Sequence, residues 1–474
     1  MPFSAEEWQQ TPPAVQAFIL SLLDRIQALE AEVTRLREQV NRNSDNTSQP
    51  PSGDGPARAT KPVQQPKSER RRGGQPGHAG TSRKLVRLEQ VKVSYDLKPS
   101  ACQACGQQLA GAEAEPYRHQ VTDIPPTVAE VTEYRLHRLV CQDCGSETMA
   151  ALPVGVPQGA FGPRLQAMVS LLSGRYHLSK RDTAELMADF FQVQLSLGAV
   201  PRLEQRTSQT LKTPVDEAWA YLKKQPVIHL DETGWREAKQ KAWLWLAATS
   251  LVTVFLIRPS RGGCVAREML DAAFIGIVVS DRWSAYNWLP SLLRQLCWAH
   301  LLRDFQAFVE REGDSQALGQ DLLAQAYLMF EWWHNVRDGT MSRSTFQQKM
   351  QPVQAQVAEL LRLGTTCSHP KTAATCRDIL KREAALWTFV HIQDVEPTNN
   401  LAERLIRPGV LWRKRSFGTQ SQAGSRFTER IMSVIATLKQ QHRNVLNYLT
   451  QACDAANCGR PVPSLLPTNS FCTD

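Results

Sequence analysis

The stretch QPVIHLDETGW (225–235) decides the fold. An apolar run, Val227 to Leu230, leads directly into Asp231, and a short continuous apolar run of this kind is the pattern of a strand buried in a sheet. About fifty residues on, FIGIVVSDRWSAY (274–286) repeats the arrangement: the apolar run Phe274 to Val279 leads to Asp281. Between the two, KAWLWLAATS (241–250) and LVTVFLIRP (251–259) carry the Trp, Val, Thr and Phe content of two hairpin strands. The spacing predicts a meander, then one helix, then a return strand, with each aspartate at a strand end near its neighbour. The apolar run Ala242 to Ile257 is shorter than a bilayer span and holds Thr249 and Ser250 at its middle, so no transmembrane segment is read.

A third carboxylate follows in EPTNNLAERLIRP (396–408). Thr398 or Asn399 can cap a helix here, placing Glu403 one turn in and Arg404 and Arg407 on one face beside it; Pro408 is expected to end that helix. Singly these signals are weak. An aspartate after a strand is most often a turn residue, and a glutamate in a helix most often a solvated charge. The order strand-Asp, strand-Asp, helix-Glu gives them meaning. Two divalent ions roughly 4 Å apart can activate the attacking oxygen and stabilise the leaving oxygen of a phosphodiester. Hard ions such as Mg²⁺ take oxygen ligands, and three carboxylates supply them. Arg404, Arg407, Arg413, Lys414 and Arg415 would then hold a DNA backbone.

The 474 residues carry a formal charge of +9 and 42% hydrophobic residues, which implies several folded domains and favours an acidic partner. MPFSAEEWQQ is not a signal peptide, so the eleven cysteines read as reduced thiols of a cytoplasmic protein. Val15, Ile19, Leu22, Ile26, Leu29, Val33, Leu36 and Val40 alternate spacings of four and three, the seam of a coiled coil or of an amphipathic helix packed on its own domain. The Pro, Gly, Ser and Asn content that follows predicts a disordered basic linker, in which Arg70, Arg71 and Arg72 either track phosphates or are simply solvated. CQAC at Cys102 and Cys105 and CQDC at Cys141 and Cys144, each followed by glycine, offer four thiolates to one structural zinc; redox or unligated thiols are the alternative. VTEYRLHRLVC (131–141) reads as a strand entering the second knuckle. Residues 179–209 read as helix, turn, helix, with Ser179 and Ser196 as caps. They form either a groove-reading unit or a helical connector, and Pro201 inside the second helix counts against the former.

Taken together, HLDETGW (229–235), SDRWSAY (280–286), CWAHLLRDF (297–305) and NNLAERLIRP (399–408), with the linker phrases NSDNTSQPPSGD (43–54) and RRGGQPGHAG (71–80), the zipper and the cysteine pairs, resemble the insertion-sequence-66 family of bacterial DDE transposases over nearly the whole length. The resemblance implies a ribonuclease-H-like catalytic fold, Mg²⁺ (or Mn²⁺) dependence, action on the ends of a mobile element, and Asp231, Asp281 and Glu403 as the triad. It also marks Cys297 and His300 as a signature. By themselves these two share a helix face with no evident second half of a metal site, so packing beside the active site is the plainer reading. EPTNN departs from the family, in which an acidic residue commonly stands directly before the asparagine pair; the triad is untouched.

The expected architecture is multidomain α/β. A zipper (1–44), a linker (45–90), a zinc-binding module (91–155) and a helical segment (156–215) precede the catalytic domain (216–450), which carries a helical insertion at about 304–390; a tail without motif (451–474) follows. In the insertion, Leu318, Leu322, Met329, Trp332 and Trp333 mark one helix and Val353, Val357, Leu360 and Leu361 another, while Phe427, Ile431, Val434 and Leu438 mark a helix backing the sheet. The expected partners are DNA, a second copy through the zipper, and possible small accessory proteins, with no membrane. A DNA-binding regulator with an inert catalytic fold and a repair nuclease are the competing functions.

Overall fold

A computed structural model describes residues 5–41, 46–47, 84–271 and 273–467. The chain divides into two units, Pro56–Val128 and the remainder. Arg70, Arg71 and Arg72, and most of the expected linker, lie outside the described residues.

The larger unit begins with α1 (Ala5–Gln10) and α2 (Pro13–Val40). Pro13 sits in the first turn of α2, where its missing N–H costs nothing. The expected seam lies on this 28-residue helix, and Val15, Leu22, Ile26, Leu29, Val33, Leu36 and Val40 are all exposed. In the smaller unit, Gln120 clasps Val86, accepting from its N–H at 2.8 Å and donating to its carbonyl at 2.9 Å.

The chain then forms a hairpin, β1 (Arg138–Val140) and β2 (Glu147–Met149). The strand expected over 131–141 is thus only three residues long. Its side chains are exposed on both faces, so no buried face holds the preceding residues in a ladder. Four helices follow: α3 (Pro163–Tyr176), α4 (Lys180–Phe191), α5 (Ala199–Thr210) and α6 (Lys212–Leu222). Ser179 caps α4 in a reciprocal capping box with Asp182. Ser196 lies outside α5, whose N-cap is Gly198, although its hydroxyl accepts from Ala199 N–H at 3.2 Å. Pro201 falls in the first turn of α5, where no backbone bond is lost, so the objection it raised to a helix-turn-helix disappears.

The centre is a five-stranded mixed sheet. β3 (Val227–Glu237), β4 (Gln240–Ala248) and β5 (Thr253–Arg258) form the meander; α7 (Gly263–Leu270) crosses back to β6 (Ile277–Ser280), and β7 (Arg294–Leu296) completes the order β5-β4-β3-β6-β7. The β3–β4–β5 pairs are antiparallel; β6 runs parallel to β3, and β7 to β6. Successive residues serve opposite faces: Val278 belongs to one hydrophobic core, Ile277 and Val279 to the other. The second core is built with α8 (Trp298–Val309), α9 (Asp314–Arg337), α10 (Arg343–Gly364), α11 (Pro370–Leu380) and α12 (Thr388–His391). Leu318, Leu322, Met329 and Trp333 on α9, and Val353, Val357, Leu360 and Leu361 on α10, are buried in it.

The chain returns through α13 (Asn400–Ser416), α14 (Gln422–Gln440) and α15 (Val445–Asn457). Pro408 does not end α13. It is exposed, so the Arg404 carbonyl that loses its donor lies on the water side. On the buried side Gly409 packs so closely on β4 that an added Cβ would lie 2.4 Å from Leu244 Cδ2. Trp412, a turn later, meets Trp235 edge-on and His177 at 4.9 Å between ring centroids. Tertiary packing carries the helix past the proline.

α14 closes the β5 edge with side chains. Glu429 Oε1 accepts from Ile257 N–H at 2.6 Å, Ser433 Oγ from Phe255 N–H at 2.9 Å and Thr437 Oγ1 from Thr253 N–H at 3.0 Å. Four residues of helix rise about 6 Å and two of strand about 6.8 Å, so every fourth helix residue meets every second amide. These donors would otherwise be an open sheet edge. Replacing Ser433 by alanine leaves the Phe255 amide buried without a partner and should cost about 1–3 kcal/mol, measured by urea denaturation; an unchanged midpoint would refute the ladder.

Candidate active site

The parallel register aligns Val227 with Ile277, Ile228 with Val278 and His229 with Val279. Continued by two residues, it brings Asp231 level with Asp281. Asp231 is therefore not at a strand end, as expected, but inside β3, at the point where β6 stops pairing and β4 continues as the partner. The Asp231 carboxylate accepts from Glu232 N–H at 2.8 Å, and that of Asp281 from Trp283 N–H at 2.9 Å. Arg294, buried, donates to the Asp281 carbonyl at 3.0 Å and the Ser280 hydroxyl at 3.3 Å; burial draws its pKa down to about 10.

Glu403 enters from the first turn of α13, its N–H donating to Asn399 O at 3.1 Å. Asn399 is more than a cap. Its side chain makes no bond to the helix it precedes. Instead Nδ2 donates to Leu230 O at 2.7 Å, Oδ1 lies 3.0 Å from His229 Nδ1, and the backbone N–H donates to Cys297 Sγ at 3.1 Å. One buried amide thus fastens the start of the Glu403 helix to the residue before Asp231 and to the start of α8. A sequence reading sees an asparagine before a helix and assigns it to the N-terminus. Nothing local signals a strand 169 residues away.

Asp231 lies within electrostatic reach of Asp281 and Glu403. The Asp231 carboxyl is held well above its ordinary range, first by burial, then by Glu232 and Asp281, with a further push from Glu403. Glu403 Oε1 is buried without a hydrogen-bond partner and lies 3.7 Å from His300 Nδ1, which is equally unpartnered; Arg303 stands 3.9 Å from the other Glu403 oxygen. Burial lowers the His300 pKa and pushes the Cys297 thiol up to about 12. The ligand atoms of Cys297, His300 and Glu403 all lie within 4.8 Å of one another, so the pair packs directly beside Glu403.

Residues 158–427 match the model of the transposase IS66 family, 270 of the 474 residues, and span the sheet, all three carboxylates and the Asn399 tether. The chain belongs to the IS66 transposase family. Residues 6–84 match a family of unknown function, and the cysteine pairs fall between the two matches. An uncharacterised protein of Sinorhizobium fredii (strain NBRC 101917 / NGR234), y4qI, is 29% identical across 48% of this chain and 47% of its own length; the chain thus spans about half the length of this curated relative.

Around the carboxylates the IS66 segment supplies a buried polar shell that sequence reading did not single out. Glu232 accepts from the Tyr286 hydroxyl and pairs with Arg261 at 2.9 Å, and its pKa rises to about 7 through burial and the nearby Asp281. The Arg261 guanidinium lies 3.9 Å from the Trp283 ring centroid and 4.8 Å from that of Trp243. Arg282 joins the loop after Asp281 to the helices beyond β7 through Asp304 at 2.6 Å and Asp378 at 2.8 Å.

The basic residues of α13 divide. Arg404, Arg407, Lys414 and Arg415 are exposed. Arg413 is half-buried, and its Nη1 donates to the Gly234 carbonyl and the Thr233 hydroxyl of β3. Among the described residues, no helix is long and apolar enough to cross a membrane.

The cysteine pairs form two copies of one turn. Cys102 N–H donates to Gln107 O at 2.8 Å and Gly106 N–H to Cys102 O at 2.9 Å; Cys141 N–H donates to Ser146 O and Gly145 N–H to Cys141 O, both at 2.9 Å. Gly106 and Gly145 take φ of 77° and 72°, which explains the glycine after each pair. The Cys102 thiol is lowered by backbone N–H donors from Cys105 and Ala104, and the Cys144 thiol by the Ser146 side chain and backbone.

Proposed function

We propose that this IS66-family chain cuts the ends of a mobile DNA element and joins them to target DNA, with Asp231, Asp281 and Glu403 holding two Mg²⁺ (or Mn²⁺) ions. The observation that carries the reading is the convergence of three carboxylates from β3, the end of β6 and the first turn of α13, one of them with a buried oxygen lacking any donor. An acceptor-only set of this kind fits a hard cation and is strained without one. The sheet supports a ribonuclease-H-like reading: three antiparallel strands followed by two parallel ones, with carboxylates carried by the first and fourth.

The ions, when bound, activate the attacking hydroxyl and stabilise the departing oxygen. The protein's part is positional. The β3–β6 register sets Asp231 and Asp281 side by side, the Arg294 bond to the Asp281 carbonyl fixes the turn, and Asn399 fixes the approach of Glu403. Arg404, Arg407 and Lys414 hold the DNA backbone, and the attacking groups are water and then the freed 3′-hydroxyl, without a covalent protein intermediate. Incubating the full chain with a duplex carrying the element's end tests this. The expected result is a Mg²⁺-dependent 3′-hydroxyl nick at the end; a nick formed equally well in EDTA would overturn the metal-based chemistry.

Each knuckle by itself suits thiolate ligation of structural zinc, Cys102 and Cys105 in the first and Cys141 and Cys144 in the second, because backbone donors lower the Cys102 thiol and the Ser146 side chain lowers that of Cys144. Elemental analysis should find zinc that is reduced on Cys102→Ser; a metal-free protein with unchanged stability would remove zinc from the account. The exposed α2 seam suits a second copy of the chain in a coiled coil. Sedimentation of the full chain as a monomer at every concentration would contradict it.

A further inference from the structure

At the far end of α13 lies a basic cavity that the chemistry above does not use. Arg415 Nη1 donates to Tyr176 O, the last residue of α3, at 3.4 Å. Beside it a cavity of about 480 Å³ opens between the end of α3, the end of α14 and the start of α15. Arg175, Lys439, His442 and Arg443 line it, and no lining residue is acidic.

Among the described residues, Arg175, Lys439 and Arg443 make no ion pair with a carboxylate. Arg175 lies over the Tyr176 ring at 5.3 Å, and Arg443 donates to the neutral oxygens of Gln441 and Ser464. Lys439 makes no ion pair among the described residues, and its pKa is lowered first by burial and then by repulsion from Arg175. The first turn of the 13-residue α15 also opens at the cavity, through Asn444, Val445 and Leu446, and adds the positive end of its dipole. Three permanent cations gathered in one concavity cost the free protein stability, a cost that a bound anion reverses.

The place of the cavity selects the anion. Arg404, Arg407, Leu411, Lys414 and Arg415 recur at helical spacing on the exposed side of α13, and the stripe ends at Tyr176. From Glu403 to Arg415 the helix rises about 18 Å at ~1.5 Å per residue. That places the cavity roughly five base pairs from the carboxylates at ~3.4 Å per pair.

We propose that this cavity holds a backbone phosphate of the DNA whose end lies at the carboxylates, anchoring the duplex away from the cut. The proposal rests on the DNA-joining reading. Its test compares the full chain with Arg175→Gln/Lys439→Gln and with the charge-preserving Lys439→Arg, using end-bearing duplex over a range of salt with hydroxyl-radical footprinting. The double variant should show a salt slope shallower by about 0.9, the value for one lost phosphate contact, and affinity lower by on the order of tenfold at ~0.1 M salt. Protection about five base pairs from the cut, at ~3.4 Å per pair, should vanish while protection at the cut persists, and Lys439→Arg should behave as the parent. An unchanged slope and footprint would overturn the cavity assignment alone. So would inorganic phosphate binding that Arg175→Gln/Lys439→Gln abolishes without any change in DNA binding. Failure of the unaltered chain to bind the duplex would instead bring down the reading beneath it.

Discussion

Asp231→Ala should abolish DNA cleavage and joining while leaving a folded protein. On the proposed metal-based reading, losing one of the three carboxylates removes several kcal/mol of transition-state stabilisation, on the order of a thousandfold or more in rate at ~1.4 kcal/mol per tenfold. Stability should move the other way when no metal is present. The folded-state pKa of Asp231 is raised, so the folded chain holds a proton that the unfolded chain releases. Ionised Asp231 therefore costs the fold stability as pH rises from the ordinary carboxylate value through the raised one. Asp231→Ala relieves that cost and should melt no lower than the parent at neutral pH in EDTA. The parent should gain thermal stability from Mg²⁺ through preferential binding to the folded state, and the variant should gain little. A variant that still joins DNA, or one that is unfolded, would count against this assignment.

Asn399→Ala should damage both fold and activity, although Asn399 touches no reacting atom. Its loss strands the Leu230 carbonyl and the His229 ring nitrogen in a buried site, which should cost about 2–4 kcal/mol. It also frees the first turn of α13, and an error of about 1 Å in the placement of Glu403 is enough to lose on the order of a hundredfold in rate. Asn399→Asp separates packing from hydrogen bonding. The shape is kept, but an acceptor replaces the amide that donates to Leu230 O, so the same direction of loss is expected. If denaturation midpoints and joining rates of Asn399→Asp match the parent, the tether is not what positions Glu403.

Much of the fold around the candidate site could be read along the chain because its main signals are local. Two apolar runs ending in aspartate, separated by hairpin strands and a helix, specify a meander and a parallel return strand, and the mixed sheet has that order. The helix carrying Glu403 was equally plain, but its end was not. Proline inside a helix is normally a stop, and only the packing of Gly409 on Leu244 and the seating of Trp412 against Trp235 and His177 explain why α13 continues. Position within β3 was misjudged for a related reason. The apolar run ends at Leu230, yet the strand goes on because β4 still pairs with residues 231–237 after β6 has stopped.

What the sequence hid was carried by side chains reaching across long separations. Asn399 looks like a cap, and nothing along the chain marks Glu429. In the fold Asn399 is a tether to β3 and Glu429 an acceptor for the β5 edge. Cys297 and His300 are the reverse case. Their spacing was noticed, but the Glu403 they pack beside lies about a hundred residues later in the chain, on α13.

The most direct test of the central claim is a strand-transfer reaction containing the full chain, Mg²⁺, duplexes bearing the element's two ends and a supercoiled target. The account predicts covalently joined product that requires Mg²⁺ and is absent with Glu403→Gln. Binding of the ends with neither cleavage nor joining, by parent and variant alike, would contradict it and favour a DNA-binding regulator built on an inert catalytic fold.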